Sequence, residues 1–224
     1  MQISDPIINL IINSFWTILK PGLIYTIPLT LISFAIGLAI AIAVALIQIS
    51  HLKVLKRITS FYVWIIRGTP LLVQIFIIFY GLPSAGITLE PLLASVIAFS
   101  LNVGAYSSET IRAAILSIHK GQWEAGESLG MTYFQVMRRI IIPQATKVSI
   151  PPLFNSFIGL VKDTSLAANI TVAEMFMVTQ RIAARTYEPL ILYCEVGFIY
   201  LMFCTVLSEI QKKAEIKLSI GQKI

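Results

Sequence analysis

Polar and charged side chains interrupt an apolar stretch, and their types suit the binding of a zwitterion. Lys162 and Asp163 follow an uncharged run that begins at Val148, and Thr164 and Ser165 come directly after them. An ammonium group, a carboxylate and two hydroxyls can pair with the carboxylate and amino groups of a small amino acid. The alternative is a self-satisfied pair, in which Lys162 bonds a nearby acid and Asp163 caps a new helical turn.

A second polar pair, Ser100 and Asn102, lies in the apolar stretch that starts at Pro91. At the rise of an α-helix, Ser100 lies about 13 Å and Asn102 about 16 Å beyond Pro91, in a hydrocarbon core about 30 Å thick. Counted from Val148 in the opposite direction, Asp163 lies about 22 Å into the same core. Both sets fall in the middle to outer part of a bilayer, where buried ionisable groups are expensive and are candidates for function.

Further charges lie at the ends of other apolar stretches. Glu109 and Arg112 are close enough to pair on one helix. With Arg67, which precedes the helix-disturbing Gly68-Thr69-Pro70, they form either a cytoplasmic-side gate or a plain structural ion pair. Glu195 has no partner that can be identified in the sequence.

The composition indicates that a membrane positions these residues. The chain has 224 residues, of which 57% are hydrophobic and 12% charged, whereas about a quarter of a soluble domain is charged. The run from Pro21 to Ser50 carries no Asp, Glu, Lys or Arg and exceeds the roughly 20 apolar residues that cross a bilayer. The basic residues form no continuous patch, so a lipid bilayer is the expected surrounding and nucleic acid is not an expected partner.

The apolar pattern predicts an all-α polytopic membrane protein with about five spans, organised as a single domain over 1–224. The predicted spans are 22–48, 58–81, 91–116, 148–166 and 189–210, after an interfacial helix over 5–20. Basic residues follow the first and third spans and fill the tail: Lys53, Lys56, Arg57, Lys120, Arg138, Arg139, Lys147, Lys212, Lys213, Lys217 and Lys223. This bias predicts an outside N-terminus, a cytoplasmic C-terminus and a cytoplasmic segment 117–147, with Arg181 and Arg185 as exceptions.

Small residues recur along the first predicted span. Gly37, Ala41 and Ala45 are four residues apart, and a parallel stripe is formed by Ala35, Ala39 and Ala43. Such spacing lets helix backbones approach each other closely. An Ala-rich helix that faces lipid is the alternative.

The cytoplasmic segment 120–143 predicts two short helices joined at a glycine. Gly130 suits the left-handed position that ends a helix, and Thr132 with Gln135 suits a capping box for the next helix. That second helix is predicted from Tyr133 to Ile142, stopping before Pro143. Exposed apolar side chains on such a segment suit either a docking surface for another protein or an ordinary linker.

This segment resembles the EAA loop of the permeases of ATP-binding-cassette (ABC) importers. The matching residues are Glu124-Ala125-Gly126, then Gly130, then Ile142-Pro143. The resemblance implies that the loop inserts into a cleft on an ATPase subunit and couples its closure to the pore. The coupling residues would be Trp123, Glu124, Ala125, Gly130 and Met131. Gly126 departs from the usual alanine, and a glycine inside a helix costs about 1 kcal/mol.

The wider chain is similar to polar amino-acid permeases of the histidine, glutamine and arginine type. Arg67-Gly68-Thr69-Pro70-Leu71 and Ala105-Tyr106 with Glu109 and Arg112 carry that similarity. The motifs Tyr80-Gly81-Leu82-Pro83, Ser100-Leu101-Asn102, Gly121-Gln122-Trp123, Lys162-Asp163-Thr164-Ser165 and Arg185-Thr186 look like those of L-cystine importers. This resemblance implies a permease homodimer in a bacterial inner membrane, with an ATPase dimer and an external amino-acid-binding protein. It also implies that Ser100, Asn102, Asp163, Thr164 and Ser165 line a substrate pocket.

The chain is not expected to be an enzyme. It has no Gly-x-x-x-x-Gly-Lys-Ser/Thr phosphate loop, so no cofactor is expected on it, and ATP and Mg²⁺ would be bound by the partner ATPase. A permease for arginine, glutamine or histidine is the first alternative. An ion-coupled secondary transporter is a weaker one, because no inverted repeat is apparent. A membrane enzyme is disfavoured, because the histidines are limited to His51 and His119.

Overall fold

The computed structural model describes residues 5–219, which form helices and turns and contain no β-strand, as predicted. The α-helices are α1 (Asp5–Pro21), α2 (Ile27–Ile49), α3 (Lys53–Gly68), α4 (Leu71–Phe76), α5 (Pro91–Leu116), α6 (Lys120–Ser128), α7 (Tyr133–Val136), α8 (Ile142–Asp163), α9 (Met175–Thr186) and α10 (Pro189–Ser219). Between them lie π-helical turns at Gly22–Thr26, Ile77–Gly81 and Met137–Ile141, and 3₁₀-helices at Leu82–Ala85 and Thr164–Ile170. Lys223 of the predicted basic tail lies outside the described residues.

Within residues 5–219, three helical stretches are long and apolar enough to cross a membrane: Ile7–Ile49, Pro91–Leu116 and Pro189–Lys217. A fourth span is possible if the broken pair Lys53–Gly68 and Leu71–Ala85 crosses as one. The pair is broken because Thr69 and Pro70 have extended backbones, and a residue that precedes proline disfavours the helical conformation.

Several predicted boundaries differ from the structure, and the prediction of about five spans exceeds the three or four that residues 5–219 contain. The predicted second span is broken at Thr69 and Pro70, and the predicted fifth span continues to Ser219 in α10. The predicted interfacial helix and first span form one helical stretch of 43 residues, about 64 Å long, so only part of it can lie in the hydrocarbon. The predicted fourth span lies in α8, which begins earlier, at Ile142. This helix is not among the apolar spans, because Pro151, Pro152 and several polar side chains lower its mean hydropathy.

One compact unit comprises Met1–Phe34, Pro70–Phe99 and Phe157–Glu209. Its core joins α1, α9 and α10 through the buried side chains Ile18, Met175, Leu192, Val196 and Ile199. The 3₁₀-helix Thr164–Ile170 packs against α9 and α4. The 3₁₀-helix that directly follows Lys162 and Asp163 is therefore held against α9 in this unit.

The other compact unit comprises Ala35–Thr69, Ser100–Ser156 and Ile210–Ile224. In it, α2 approaches α5 closely at Gly37, where an added Cβ would lie 2.7 Å from the Cβ of Val103. Ala41 and Ala45 of the same stripe are fully buried, which confirms the predicted close approach of helices. The parallel stripe Ala35, Ala39 and Ala43 is exposed.

A second core in this unit anchors the segment 120–143. It joins α5, α7, the π-helical turn and α8 through the buried side chains Ala114, Ile115, Val136, Met137, Ile141 and Ala145. The predicted helix stop before Pro143 is wrong, because the helical path continues through the π-helical turn Met137–Ile141 into α8. The wider π-helical turn relieves the clash that a proline ring makes with the preceding turn of a regular α-helix.

Candidate functional site

The segment 120–143 forms the two short helices that the sequence predicts. The backbone N–H of Gly121 donates to Nδ1 of His119 (3.1 Å), which caps the start of α6. At the other end of α6, Gly130 adopts a left-handed conformation (φ +72°). The N–H of Met131 then donates to the carbonyl of Gly126 at 3.1 Å. These bonds satisfy backbone groups that a helix end would otherwise leave free.

The predicted capping box at the start of α7 is also present. The N–H of Thr132 donates to Oε1 of Gln135 at 2.9 Å, and the N–H of Gln135 donates to Oγ1 of Thr132 at 3.4 Å. The box fixes the direction in which the chain enters α7. The turn between α6 and α7 therefore has defined geometry at both helix ends.

Aromatic packing joins the two short helices. The rings of Trp123 and Tyr133 stack with centroids 5.5 Å apart and planes 24° from parallel. Trp123 and Met131 are partly buried and pack against the core that contains Val136 and Met137. These two predicted coupling residues therefore pack between the segment and the core, and are not on the exposed surface of the segment.

The exposed surface of the segment carries a charged residue as well as large apolar side chains. Glu124, Ala125 and Gly130 are exposed, while Leu129 is 79% exposed and Phe134 is 69% exposed. Large apolar side chains left in contact with solvent mark interaction sites when they cluster. The sequence reasoning missed Phe134, although an aromatic residue just after a predicted N-cap was a usable signal.

Gly126 is explained by close packing between α6 and α7. It is buried, and a Cβ added to it would lie 2.7 Å from Cγ2 of Val136 and 3.2 Å from Cδ1 of Ile140. Val136 is β-branched and has little rotamer freedom in a helix. The glycine therefore lets α6 lie closer to α7 than an alanine would.

The predicted contact between Glu109 and Arg112 is present. Nη2 of Arg112 donates to Oε2 of Glu109 at 2.8 Å, and Nε donates to Oε1 at 3.1 Å, which is a bidentate pair. Nη1 of Arg67 lies 3.7 Å from the same Oε2, and its guanidinium lies 5.3 Å from the ring centroid of Tyr106. One carboxylate thus holds two guanidinium groups, one from α3 and one from α5.

The polar residues at the end of α8 lie at the junction with a 3₁₀-helix. Lys162 and Asp163 are exposed, and Asp163 makes no side-chain cap bond. Lys162 forms no ion pair in the part of the chain that the structure describes. The hydroxyls of Thr164 and Ser165 donate to the carbonyls of Val161 and Lys162, both at 2.7 Å. The cap bond and ion pair of the self-satisfied alternative are therefore absent among residues 5–219.

Ser100 and Asn102 belong to the other compact unit. Ser100 is 3% exposed, and its Oγ has no hydrogen-bond partner within residues 5–219. Asn102 is half-buried. Buried hydroxyls normally have a partner, so Oγ of Ser100 is a candidate contact for a polar ligand.

Sequence reasoning missed a buried acid at the start of α9. Glu174 is fully buried, and its carboxylate accepts bonds from the N–H groups of Phe176 and Met177 and from the hydroxyl of Tyr200. Burial raises the pKa of Glu174, and the bonds from Phe176, Met177 and Tyr200 oppose that rise. An acid within the apolar run that follows Ile170 was the available signal.

Glu195 has a partner in the structure that the sequence did not identify. Its Oε2 is hydrogen-bonded to the hydroxyl of Ser14, which joins α10 to α1.

Within residues 5–219, no cluster of three or more His, Cys, Asp or Glu side chains is placed to hold a metal ion.

Comparisons with known proteins agree on one family. Residues 33–215 match the model of the binding-protein-dependent transport system inner membrane component. The chain is 54% identical, over 94% of its length and 90% of the relative's, to the L-cystine transport system permease protein TcyB of Bacillus subtilis (strain 168). It is 38% identical, over 93% of its length and 92% of the relative's, to the probable amino-acid ABC transporter permease protein YckA of the same organism.

A solved structure supports the same fold. The crystal structure of an amino acid ABC transporter with histidines matches with a TM-score of 0.89 and 34% identity. The match covers 97% of this chain and 100% of that one.

Proposed function

The chain belongs to the family of inner membrane components of binding-protein-dependent transport systems, and we propose that the amino acid it carries is L-cystine. It is the permease subunit of an amino-acid ABC importer, a translocation subunit whose ATP-hydrolysing site lies on a separate partner. The observation that carries the cystine assignment is the 54% identity to a cystine permease, against 38% to the amino-acid permease YckA.

The proposed mechanism is alternating access driven by the partner ATPase, which binds ATP and Mg²⁺. The exposed Glu124, Leu129 and Phe134 would occupy a cleft on that partner. The stacked Trp123 and Tyr133 would keep α6 and α7 together when the cleft closes. Movement of this rigid piece would then pass through the continuous helical path into α8.

Polar residues of each unit are proposed to contact the substrate. Lys162 would bind a carboxylate of the substrate and Asp163 an amino group, since both side chains are exposed. Ser100 would contribute an unpartnered hydroxyl. The contributions of Asn102, Thr164 and Ser165 rest on the resemblance of their motifs to those of cystine importers. None of these groups breaks a bond in the substrate, and their task is to bind and release it.

The proposed assembly is a homodimer of this chain with two ATPase subunits and an external amino-acid-binding protein. The proposed orientation has the N-terminus outside and the C-terminus in the cytoplasm. Its support is the excess of Lys and Arg in 117–147 and in the tail. In this orientation α6 and α7 face the cytoplasm, where ATP is available.

Histidine is the second candidate substrate. The solved structure that is 34% identical to this chain is described as an amino acid ABC transporter with histidines. Histidine has the same amino and carboxylate groups as each end of cystine. The proposed contacts to Lys162 and Asp163 would serve either molecule.

Uptake of labelled L-cystine tests the assignment. Cells that lack this chain would be compared with the same cells after its restoration, with excess unlabelled cystine, arginine, glutamine or histidine as competitors. We expect restored uptake that only cystine inhibits strongly. If cystine uptake is unaffected and uptake of another amino acid returns, the importer class stands and the substrate assignment is wrong.

A further inference from the structure

A cavity of about 460 Å³ lies beside Lys162 in the first compact unit. Its lining residues are Lys162, Ser165, Phe176, Tyr193, Val196, Gly197 and Tyr200. Ligand sites for small molecules have volumes of about 300 to 1,000 Å³ and combine an apolar lining with a few polar groups. This cavity has that size and composition but is open on one side, and its aromatic residues are not among the predicted site residues.

Two aromatic rings form adjacent parts of the lining. Phe176 of α9 and Tyr193 of α10 have ring centroids 5.8 Å apart and planes tilted by 30°. Val196, Gly197 and Tyr200 follow Tyr193 at helical spacing, so all four lie on one face of α10. At Gly197 no heavy atom lies within 4 Å of the position that a Cβ would take, which leaves the cavity open beside the rings.

Glu174 joins the backbone of Phe176 on α9 to the side chain of Tyr200 on α10. Its Oε2 accepts the N–H of Phe176 at 2.8 Å and the hydroxyl of Tyr200 at 2.9 Å. One fully buried carboxylate therefore ties the start of α9 to α10. A site held this way pays little ordering cost when a ligand enters.

The polar end of the cavity matches one end of an amino acid. The ammonium group of Lys162 can bind a carboxylate. Oγ of Ser165 donates its proton to the carbonyl of Lys162, so its lone pairs remain able to accept from an amino group. Beyond Lys162 and Ser165 the lining is mainly aromatic, and aromatic rings suit a polarizable group in the middle of the substrate.

We propose that the rings of Phe176 and Tyr193 are specificity-determining residues that contact the disulfide sulfurs of the substrate while Lys162 binds one of its carboxylates. This inference rests on the proposed function, in which the substrate is L-cystine. Divalent sulfur makes favourable contacts with aromatic rings at about 5 Å. A substrate of the same length without sulfur would lose these contacts and keep the contact with Lys162.

The test compares L-cystine with its dicarba analogue, in which methylene carbons replace both sulfur atoms. Binding of each would be measured on the purified permease–ATPase complex in lipid nanodiscs, without the external binding protein, so that this chain's own selectivity is observed. The variants are Phe176→Leu and Tyr193→Leu. Phe198→Leu is the matched control, because Phe198 lies on α10, is 57% exposed and does not line the cavity.

We expect each variant to weaken cystine binding about two- to tenfold relative to the dicarba analogue, and the control to leave the ratio of the two Kd values unchanged. Gly197→Leu places a side chain into the cavity from an open position and should abolish binding of both ligands in a folded complex. An unchanged ratio in Phe176→Leu and Tyr193→Leu would overturn the inference, as would full binding by Gly197→Leu.

The wild-type complex separates this inference from the proposed function. If it binds another amino acid but not cystine, the cystine assignment fails before any variant is examined, and the sulfur contact fails with it. If it binds cystine and the two leucine variants discriminate as the wild type does, only the role of the rings fails.

Discussion

Trp123 and Tyr133 stack across the turn between α6 and α7, with ring centroids 5.5 Å apart. The capping box at Thr132 and the left-handed Gly130 fix the backbone between them. These contacts join the two short helices through a turn of defined geometry, so we expect α6 and α7 to move together.

Reversal of charge at Glu124 should uncouple transport from ATP hydrolysis. Glu124 is exposed on α6, so Glu124→Lys changes the surface proposed to contact the ATPase and leaves the packing of the chain intact. We therefore expect the variant to insert into the membrane normally and to lose uptake. Uptake and membrane abundance would be measured together. Glu90→Lys, which makes the same charge change at an exposed position outside the segment, is the control. Full uptake by Glu124→Lys would refute the coupling role.

Substitution of Gly126 by alanine should destabilise the contact between α6 and α7. The added Cβ would lie 2.7 Å from Cγ2 of Val136, and overpacking of this kind costs about 1–3 kcal/mol, of which the higher helix propensity of alanine offsets about 1 kcal/mol. Thermal unfolding of the complex would measure the loss. Because Val136→Ala removes the obstructing methyl groups, it should reduce the cost of Gly126→Ala in a double-mutant cycle. Equal costs of Gly126→Ala in both backgrounds would contradict this packing explanation.

Neutralisation of Glu109 distinguishes a structural pair from a gate. Glu109→Gln leaves the guanidinium groups of Arg67 and Arg112 without a shared carboxylate. We expect a loss of stability of about 1 kcal/mol or less, because these side chains are partly exposed, with ATP hydrolysis still dependent on substrate. The measurements are thermal unfolding and ATPase activity with and without substrate. High ATPase activity without substrate would instead identify a gate.

Removal of the charge on Asp163 should weaken substrate binding without affecting folding. The side chain is exposed and makes no cap bond, and a hydrogen bond to a charged group contributes about 1.5–3 kcal/mol. Asp163→Asn should therefore raise the Kd for cystine roughly ten- to a hundredfold. Glu188→Gln, at another exposed position, is the control. An unchanged Kd in Asp163→Asn would remove this residue from the pocket.

Local signals in the sequence were sufficient for the turn between α6 and α7. The left-handed Gly130 and the bonds between Thr132 and Gln135 depend on residues within a few positions of each other, and such capping patterns are readable from sequence. The close approach at Gly37 was predictable only in part, because two stripes of small residues on α2 have the same spacing and only the one with Gly37 is buried.

Features that depend on distant residues were not predictable in the same way. The bond between Glu174 and Tyr200 joins residues 26 positions apart, so no local pattern indicates it. The need for glycine at position 126 arises from Val136 on the next helix. The continuation of the helix past Pro143 depends on the preceding π-helical turn, which has no simple sequence signature.

That π-helical turn, Met137–Ile141, has a consequence for chain length. A π-helical turn contains about one residue more than the α-helical turn it replaces, and each residue of an α-helix advances the side-chain direction by about 100°. Deletion of a single residue here would leave every side chain of α8 present but turn a different stripe of the helix toward its neighbours. The number of residues between α7 and α8 therefore determines which face of α8 packs against its neighbours, and a change of one residue is enough to alter that face.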